Sequence, residues 1–209
     1  MTRGLVDTDG LERDDIAALR AVTPPDDLPF TIGKISHVVM KVADIERSVE
    51  FYTQILGFRV SDAYPDSMMP NRMVFLRYNP DHHGIAIIGG ASGPAAGAEL
   101  HHVAYEVDTL DEVFRARDHL EKHGVALSFE GRRRAGQQIA VEFNDPDGHM
   151  VEICWCMDQI EPHDKSRPPE DWRAAATLED AVRNPPPGQD VTLADPSLLR
   201  NQINSGDTL

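Results

Sequence analysis

One pattern recurs in this chain and limits what it can fold into. A short alternating strand carries a histidine just before a valine, an amphipathic helix follows, and a glycine stops the helix. The first copy opens with ISHVVMKV at residues 35–42 and the second with LHHVAYEV at residues 100–107. In the first, Asp44 is placed to cap a helix running to Leu56, with Ile45, Val49, Tyr52 and Leu56 on one face and Gly57 as the stop. Strands are expected over residues 34–42, 58–64, 72–78 and 84–88. The second copy repeats the order, with a helix from Asp108 or Thr109 to His123, Gly124 as its stop, and strands over 99–107, 125–130, 138–143 and 149–156. NDPDG at residues 144–148 has the composition of a turn. The expected fold is therefore α+β, with tandem βαβββ modules.

The segmentation that follows is an N-terminal extension over 1–33, a first module over 34–90, a second over 99–156 and a Pro-rich tail over 157–209. The extension is expected to hold one helix over residues 11–22, ended by Pro24 and Pro25. GGASGPAAGA links the modules. In the tail, residues 171–176 and 177–183 are helix candidates, the second opened by Thr177 with Asp180 three residues on. With few apolar residues besides Trp172, Leu178 and Leu193, the tail either wraps the domain or a neighbouring subunit, or is partly disordered.

Charge and hydropathy exclude several classes of partner. A formal net charge of −15 repels phosphate backbones and anionic headgroups, and the basic residues form a single tight run, Arg132 to Arg134. Neither nucleic acid nor membrane is an expected partner. Apolar runs fall short of the roughly 18–20 residues that a bilayer span needs, and Met1–Gly10 lacks the apolar centre of a secretory signal. A cytoplasmic protein is expected. Cys154 and Cys156, two apart on the closing strand, would share a face, a poor arrangement for a disulfide, and read as reduced apolar filler or, less naturally, metal ligands.

His37, His102 and Glu152 supply two imidazoles and a carboxylate, the set that holds a divalent ion on one face and leaves the other open. Each taken alone also reads as an ordinary strand residue; it is their matched places in a duplicated pattern that join them. His83, in NPDHHGIAI, reads either as part of a solvated turn or as a proton shuttle. His101 has the parity opposite to His102 and reads as a ladder residue facing the other layer.

ISHVVMKVADIERSVEFYTQILGF, FLRYNPDHHGIAI, LHHVAYEV and FNDPDGHMVEI together resemble the vicinal oxygen chelate superfamily, which includes glyoxalases, bleomycin resistance proteins and dioxygenases. The resemblance covers residues 33–156 and is strongest to small two-module type I extradiol ring-cleaving dioxygenases related to dihydroxybiphenyl dioxygenase. It implies that the tandem βαβββ modules form an open mixed β-sheet barrel around a metal site, with Fe(II), or Mn(II) or another divalent metal as the alternative, held by His37, His102 and Glu152, and His83 as an acid–base residue. The implied substrates are a small aromatic diol and O2. Where those dioxygenases carry a tyrosine ten residues before the glutamate and a histidine further upstream, this chain has Glu142 and Arg133. An ionised Glu142 can only accept hydrogen bonds, whereas Arg133 would pair with a substrate carboxylate or a developing anion. In the plainer reading, Arg132–Arg134 is a solvated turn and Glu142 pairs with one of its members.

Three functions follow from these residues. The first is an Fe(II)-dependent extradiol-type dioxygenase. The second is a non-oxidative metalloenzyme, an isomerase, epimerase or lyase working through an enediolate, with Glu142 as base. The third is a metal-free binding module, against which the intact ligand trio argues. Edge strands and the extended tail favour a homo-oligomer. Met68, Met69, Met73 and Phe75 are candidate pocket residues.

Overall fold

The computed structural model describes residues 6–23, 34–95, 100–160 and 165–200. The chain divides into two compact units, one of residues 7–99 with 145–149, the other of residues 100–144 with 150 onward among those described. The architecture is α+β, with one four-stranded mixed sheet in each unit.

In the first unit the elements run α1 (Thr8–Leu11), α2 (Asp14–Arg20), β1 (Val38–Lys41), α3 (Ile45–Glu50), β2 (Arg59–Tyr64), β3 (Met73–Arg77) and β4 (Ile85–Ile88). The sheet order is β1-β4-β3-β2, with β1 parallel to β4 and the other pairs antiparallel. The single N-terminal helix expected over residues 11–22 is two short ones, because Arg13 adopts an extended conformation (φ −64°, ψ 147°) between them. Asp44 caps α3 by accepting from the Arg47 amide, as its position suggested. Beyond Glu50 the helix widens into a π-helical turn, Phe51–Ile55. Thr53 Oγ1 donates to the carbonyls of Val49 (2.8 Å) and Glu50 (3.2 Å), competing for the acceptors that an α-helical ladder uses. Met40, Val42, Ile45, Tyr52, Leu76, Ile85 and Ile87 form much of the buried interior.

Residues 145–149 pack in this unit, and they are far more than a turn. Asp147, 1 % exposed, accepts from the Ala43 amide (2.6 Å) and Ser48 Oγ (2.7 Å) and pairs with Arg47 (3.2 Å). Asp145 accepts from the Tyr52 hydroxyl (3.1 Å) and from the His149 ring (3.0 Å). Burial raises the pKa of Asp147, but its three donors together outweigh burial and hold it below the ordinary aspartate value.

The second unit repeats the topology. Its elements are β5 (Val103–Glu106), α4 (Leu110–Lys122), β6 (Leu127–Arg132), β7 (Ile139–Asn144), β8 (Met150–Trp155) and α5 (Leu178–Arg183), with sheet order β5-β8-β7-β6. Thr109 and Glu112 close a capping box on α4, and its buried stripe of Leu110, Val113, Phe114 and Leu120 packs against β7 and β8. Gly57 and Gly124, both at φ +73°, end the two principal helices in the conformation that glycine adopts without strain. A one-residue register shift interrupts β2–β3 between Val60 and Asp62 and β6–β7 between Leu127 and Phe129, so the same bulge recurs in both copies.

The tail packs on the second unit. Arg132, which the plainer reading puts in a solvated turn, is 1 % exposed and donates to the carbonyls of Arg173 (3.2 Å), Ala181 (2.6 Å) and Asn184 (2.9 Å); burial lowers its pKa to about 10. Arg117, fully buried on α4, donates to Glu179 (2.7 Å) and to the Leu198 carbonyl (3.2 Å). Thr177 caps α5 through the Asp180 amide, whereas a helix over 171–176 does not form. The chain after the Pro169–Asp171 turn extends instead, and Ala175 bridges the backbone of Arg132. Cys154 is buried on β8, Cys156 lies past its end at φ +62°, and both are free thiols. Among the described residues no helix is long and apolar enough to cross a membrane.

Candidate metal centre

Sheet register puts the two histidines singled out by sequence at equivalent places. Val38 pairs with Ile85 and Val103 with Val151, so His37 and His102 each stand immediately before the first strand of their copy. They precede the strands rather than lying on them, one residue outside the ladder. By the same register Ala86 in the first copy is the counterpart of Glu152 in the second, and Phe75 the counterpart of Glu142.

In the second unit a row of side chains crosses the sheet on one face. Ala104 pairs with Glu152, Glu152 with Glu142, and Glu142 with Phe129. His102, two residues before Ala104, lies toward the same face, and its Nε2 is 3.5 Å from Glu152 Oε2. Glu152 is 2 % exposed, and its Oε1 is buried with no hydrogen-bond partner among the described residues. Burial raises its pKa and neighbouring Glu142 adds to this, against the pull of His102, Gln138 and Arg133. A buried carboxylate oxygen without a donor is costly. A divalent cation held jointly with the imidazole would satisfy it, so His102 and Glu152 fit a hard or borderline metal ion. Among the described residues of either unit, no three His, Cys, Asp or Glu side chains are grouped so that they could by themselves hold a metal ion.

His101, expected to face away, instead meets its neighbour: the two Nδ1 atoms are 2.8 Å apart. That contact occupies His102 Nδ1 and leaves Nε2 as the nitrogen facing Glu152. Arg133 and Glu142 form the ion pair of the plainer reading. Arg133 Nε and Nη2 donate to both Glu142 oxygens at 2.6–2.8 Å, and the guanidinium lies 3.7 Å from the centre of the Phe129 ring.

The first unit brings His37 and His83 together, with ring centres 4.6 Å apart. Burial, then the nearby His37 and His82, hold the His83 pKa below the ordinary histidine value. The Phe75 ring stands 4.9 Å from His83 and belongs to an apolar cluster with Met73 and Ala86, against which Met69 packs; Met68 is exposed. Sequence reading missed the Asp62 carboxylate, 2.9 Å from His82 Nε2, because the bulge that sets it opposite Phe75 leaves no compositional signal.

The model of the Glyoxalase/Bleomycin resistance protein/Dioxygenase superfamily matches residues 34–153. The chain belongs to this superfamily. Its similarity to superfamily members spans two chemistries. It is 34 % identical over 124 residues to a biphenyl-2,3-diol 1,2-dioxygenase of Paraburkholderia xenovorans, covering 58 % of this chain and 40 % of that enzyme. It is 26 % identical over 125 residues to a probable lactoylglutathione lyase of Vibrio cholerae, covering 57 % of this chain and 88 % of that protein. A crystal structure of a glyoxylase/bleomycin resistance protein/dioxygenase domain from Frankia sp. EAN1pec shares the fold, with a TM-score of 0.52 at 18 % identity, covering 61 % of this chain and 95 % of that one. This superfamily member thus spans about two fifths of the length of the biphenyl-diol dioxygenase it matches.

Proposed function

We propose that the chain is an Fe(II)-dependent extradiol-type dioxygenase that cleaves the ring of a small catecholic aromatic. The observation that carries this reading is the buried, undonated Glu152 Oε1 beside His102 Nε2. In this reading His102 and Glu152 are two protein ligands and His37, at the position equivalent to His102, is the third. Mn(II) is the alternative metal. The ion would supply charge stabilisation and a common template for diol and O2.

The remaining roles fall to the chain's own side chains. His83, set against Phe75, accepts a proton from the substrate hydroxyl and returns it to product. Arg133, fixed by Glu142 and by the Phe129 ring, places a positive charge beside Glu142 and Glu152 to meet negative charge on the substrate. Similarity to the biphenyl-diol dioxygenase supports the substrate class.

A second reading, a non-oxidative isomerase or lyase acting through an enediolate, is favoured by the fuller span of the lactoylglutathione lyase match. Glu142 acting as base would support it, and Glu142 is already held by three short hydrogen bonds from Arg133. Oxygen consumption separates the two readings. Protein loaded anaerobically with Fe(II) is expected to consume O2 with one or more of a panel of catechols and to develop a ring-fission absorbance, both lost in His102→Ala. Stoichiometric bound metal with no uptake across the panel would shift the assignment to the second reading.

A further inference from the structure

Asp62, His82 and His83 form a hydrogen-bonded row in the first unit. Asp62 Oδ2 lies 2.9 Å from His82 Nε2, and His82 Nδ1 lies 2.9 Å from His83 Nδ1. Two facing Nδ1 atoms hold a hydrogen bond only if one carries the proton and the other is bare. Asp62 decides which. An ionised carboxylate only accepts, so the proton of neutral His82 sits on Nε2 and its Nδ1 is the acceptor. His83 Nδ1 must then donate, which leaves His83 Nε2 bare.

The backbone aims these groups at one another. The bulge between Val60 and Asp62 puts Asp62, rather than Ser61, opposite Phe75 on β3. Phe75 in turn packs edge-on against both imidazoles, with ring centres 5.9 Å from His82 and 4.9 Å from His83. Without the extra residue, strand alternation would turn Asp62 to the other face.

We infer that Asp62 and His82 are positioning residues that fix His83 as its Nδ1–H tautomer and present a bare Nε2 able to take a proton. The tautomer stands on this geometry alone; its use in the reaction rests on the proposed dioxygenase function. An imidazole with the proton on Nε2 would have to accept through Nδ1, which faces His82. The row therefore selects the one neutral form whose outward nitrogen is a base.

Long-range 1H–15N correlation on metal-free, 15N-histidine-labelled protein at about pH 8, where ordinary imidazoles are neutral, reads each tautomer directly. His83 is expected as Nδ1–H and His82 as Nε2–H. Asp62→Ala and His82→Ala should both return His83 toward the Nε2–H form that free histidine favours. The Asp62 and His82 side chains are 61 % and 57 % exposed, so both replacements fall on the surface of the fold. Nε2–H at His83 in the unaltered protein overturns the inference, as does an Nδ1–H signal that persists in both variants. In Fe(II)-loaded enzyme, kcat of Asp62→Ala should fall by the factor by which the Nδ1–H population falls, with KM unchanged. A correct tautomer in a protein that cleaves no catechol would refute the proposed function and leave the tautomer assignment standing.

Discussion

Replacing Glu179 by alanine should destabilise the second unit severely, and its surroundings set the size of the loss. The Arg117 guanidinium is fully buried and donates to Glu179 Oε1 at 2.7 Å, which also accepts from the Arg200 amide at 3.1 Å. Removing one partner of a buried ion pair costs about 3–5 kcal/mol, because the other charge is left without compensation. Glu130 at 3.6 Å and the half-exposed Asp118 at 3.1 Å remain near Arg117, which points to the lower end, about 3 kcal/mol. For a chain of this length that is a fall in Tm of roughly 6–12 °C. Burial pushes the Glu179 carboxyl up, but Arg117 and backbone amides outweigh it, and the net pKa is lowered. The stabilisation is therefore complete above the unfolded glutamate pKa of about 4.3 and fades as pH falls through the lower folded value. Urea unfolding at neutral pH, followed by circular dichroism, measures the loss. The double variant Arg117→Met with Glu179→Ala should recover part of it, since the buried guanidinium is then no longer left without its partner, while Glu130 loses a counter-charge. A single variant within 1 kcal/mol of the parent, or a double variant no better than the single, would refute the argument.

Three further outcomes follow from the same kind of reasoning. Asp147→Ala strips the acceptor from the Ala43 amide, Ser48 Oγ and Arg47, and should cost about 2–3 kcal/mol in urea unfolding; a loss below 1 kcal/mol would contradict the buried acceptor role. The hydrogen bond to Asp145 raises the His149 pKa above its ordinary value, so its contribution is present in full below about pH 6.5 and lost as pH rises through the folded value. The stability difference between the parent and His149→Gln should accordingly shrink with rising pH, and a pH-independent difference would count against it. Burial, followed by the charges of Glu152 and Glu106, pushes the Cys154 thiol up to about 12. Iodoacetamide at about pH 8 should leave Cys154 unmodified in the folded protein by mass spectrometry, whereas labelling at the rate of a free thiol would refute its burial.

The duplicated strand–helix–Gly pattern carried most of the fold, because helix caps and hydrophobic spacing are local properties. Asp44, Thr177, Gly57 and Gly124 all act where their residue types indicate. Contacts between distant segments were not legible. Nothing in NDPDG marks Asp145 and Asp147 as buried acceptors, and nothing in RRR separates buried Arg132 from Arg133 on its aromatic ring. The His102 and Glu152 pairing was legible because each sits on a patterned strand or just before one. Asp62 was not, since a single bulge residue reverses the face that alternation assigns. His101 was misplaced for a related reason: it lies before β5, where strand parity does not apply.

Anaerobic Fe(II) titration by calorimetry, with dialysed protein assayed for bound iron, addresses the ligand assignment directly. One ion should bind per chain, with affinity reduced by about 100-fold or more in each of His37→Ala, His102→Ala and Glu152→Ala, since in the proposed function each supplies a protein ligand. Unchanged stoichiometry and affinity in the Glu152 variant would contradict it, because the buried oxygen that carries the proposal would then have no metal to meet.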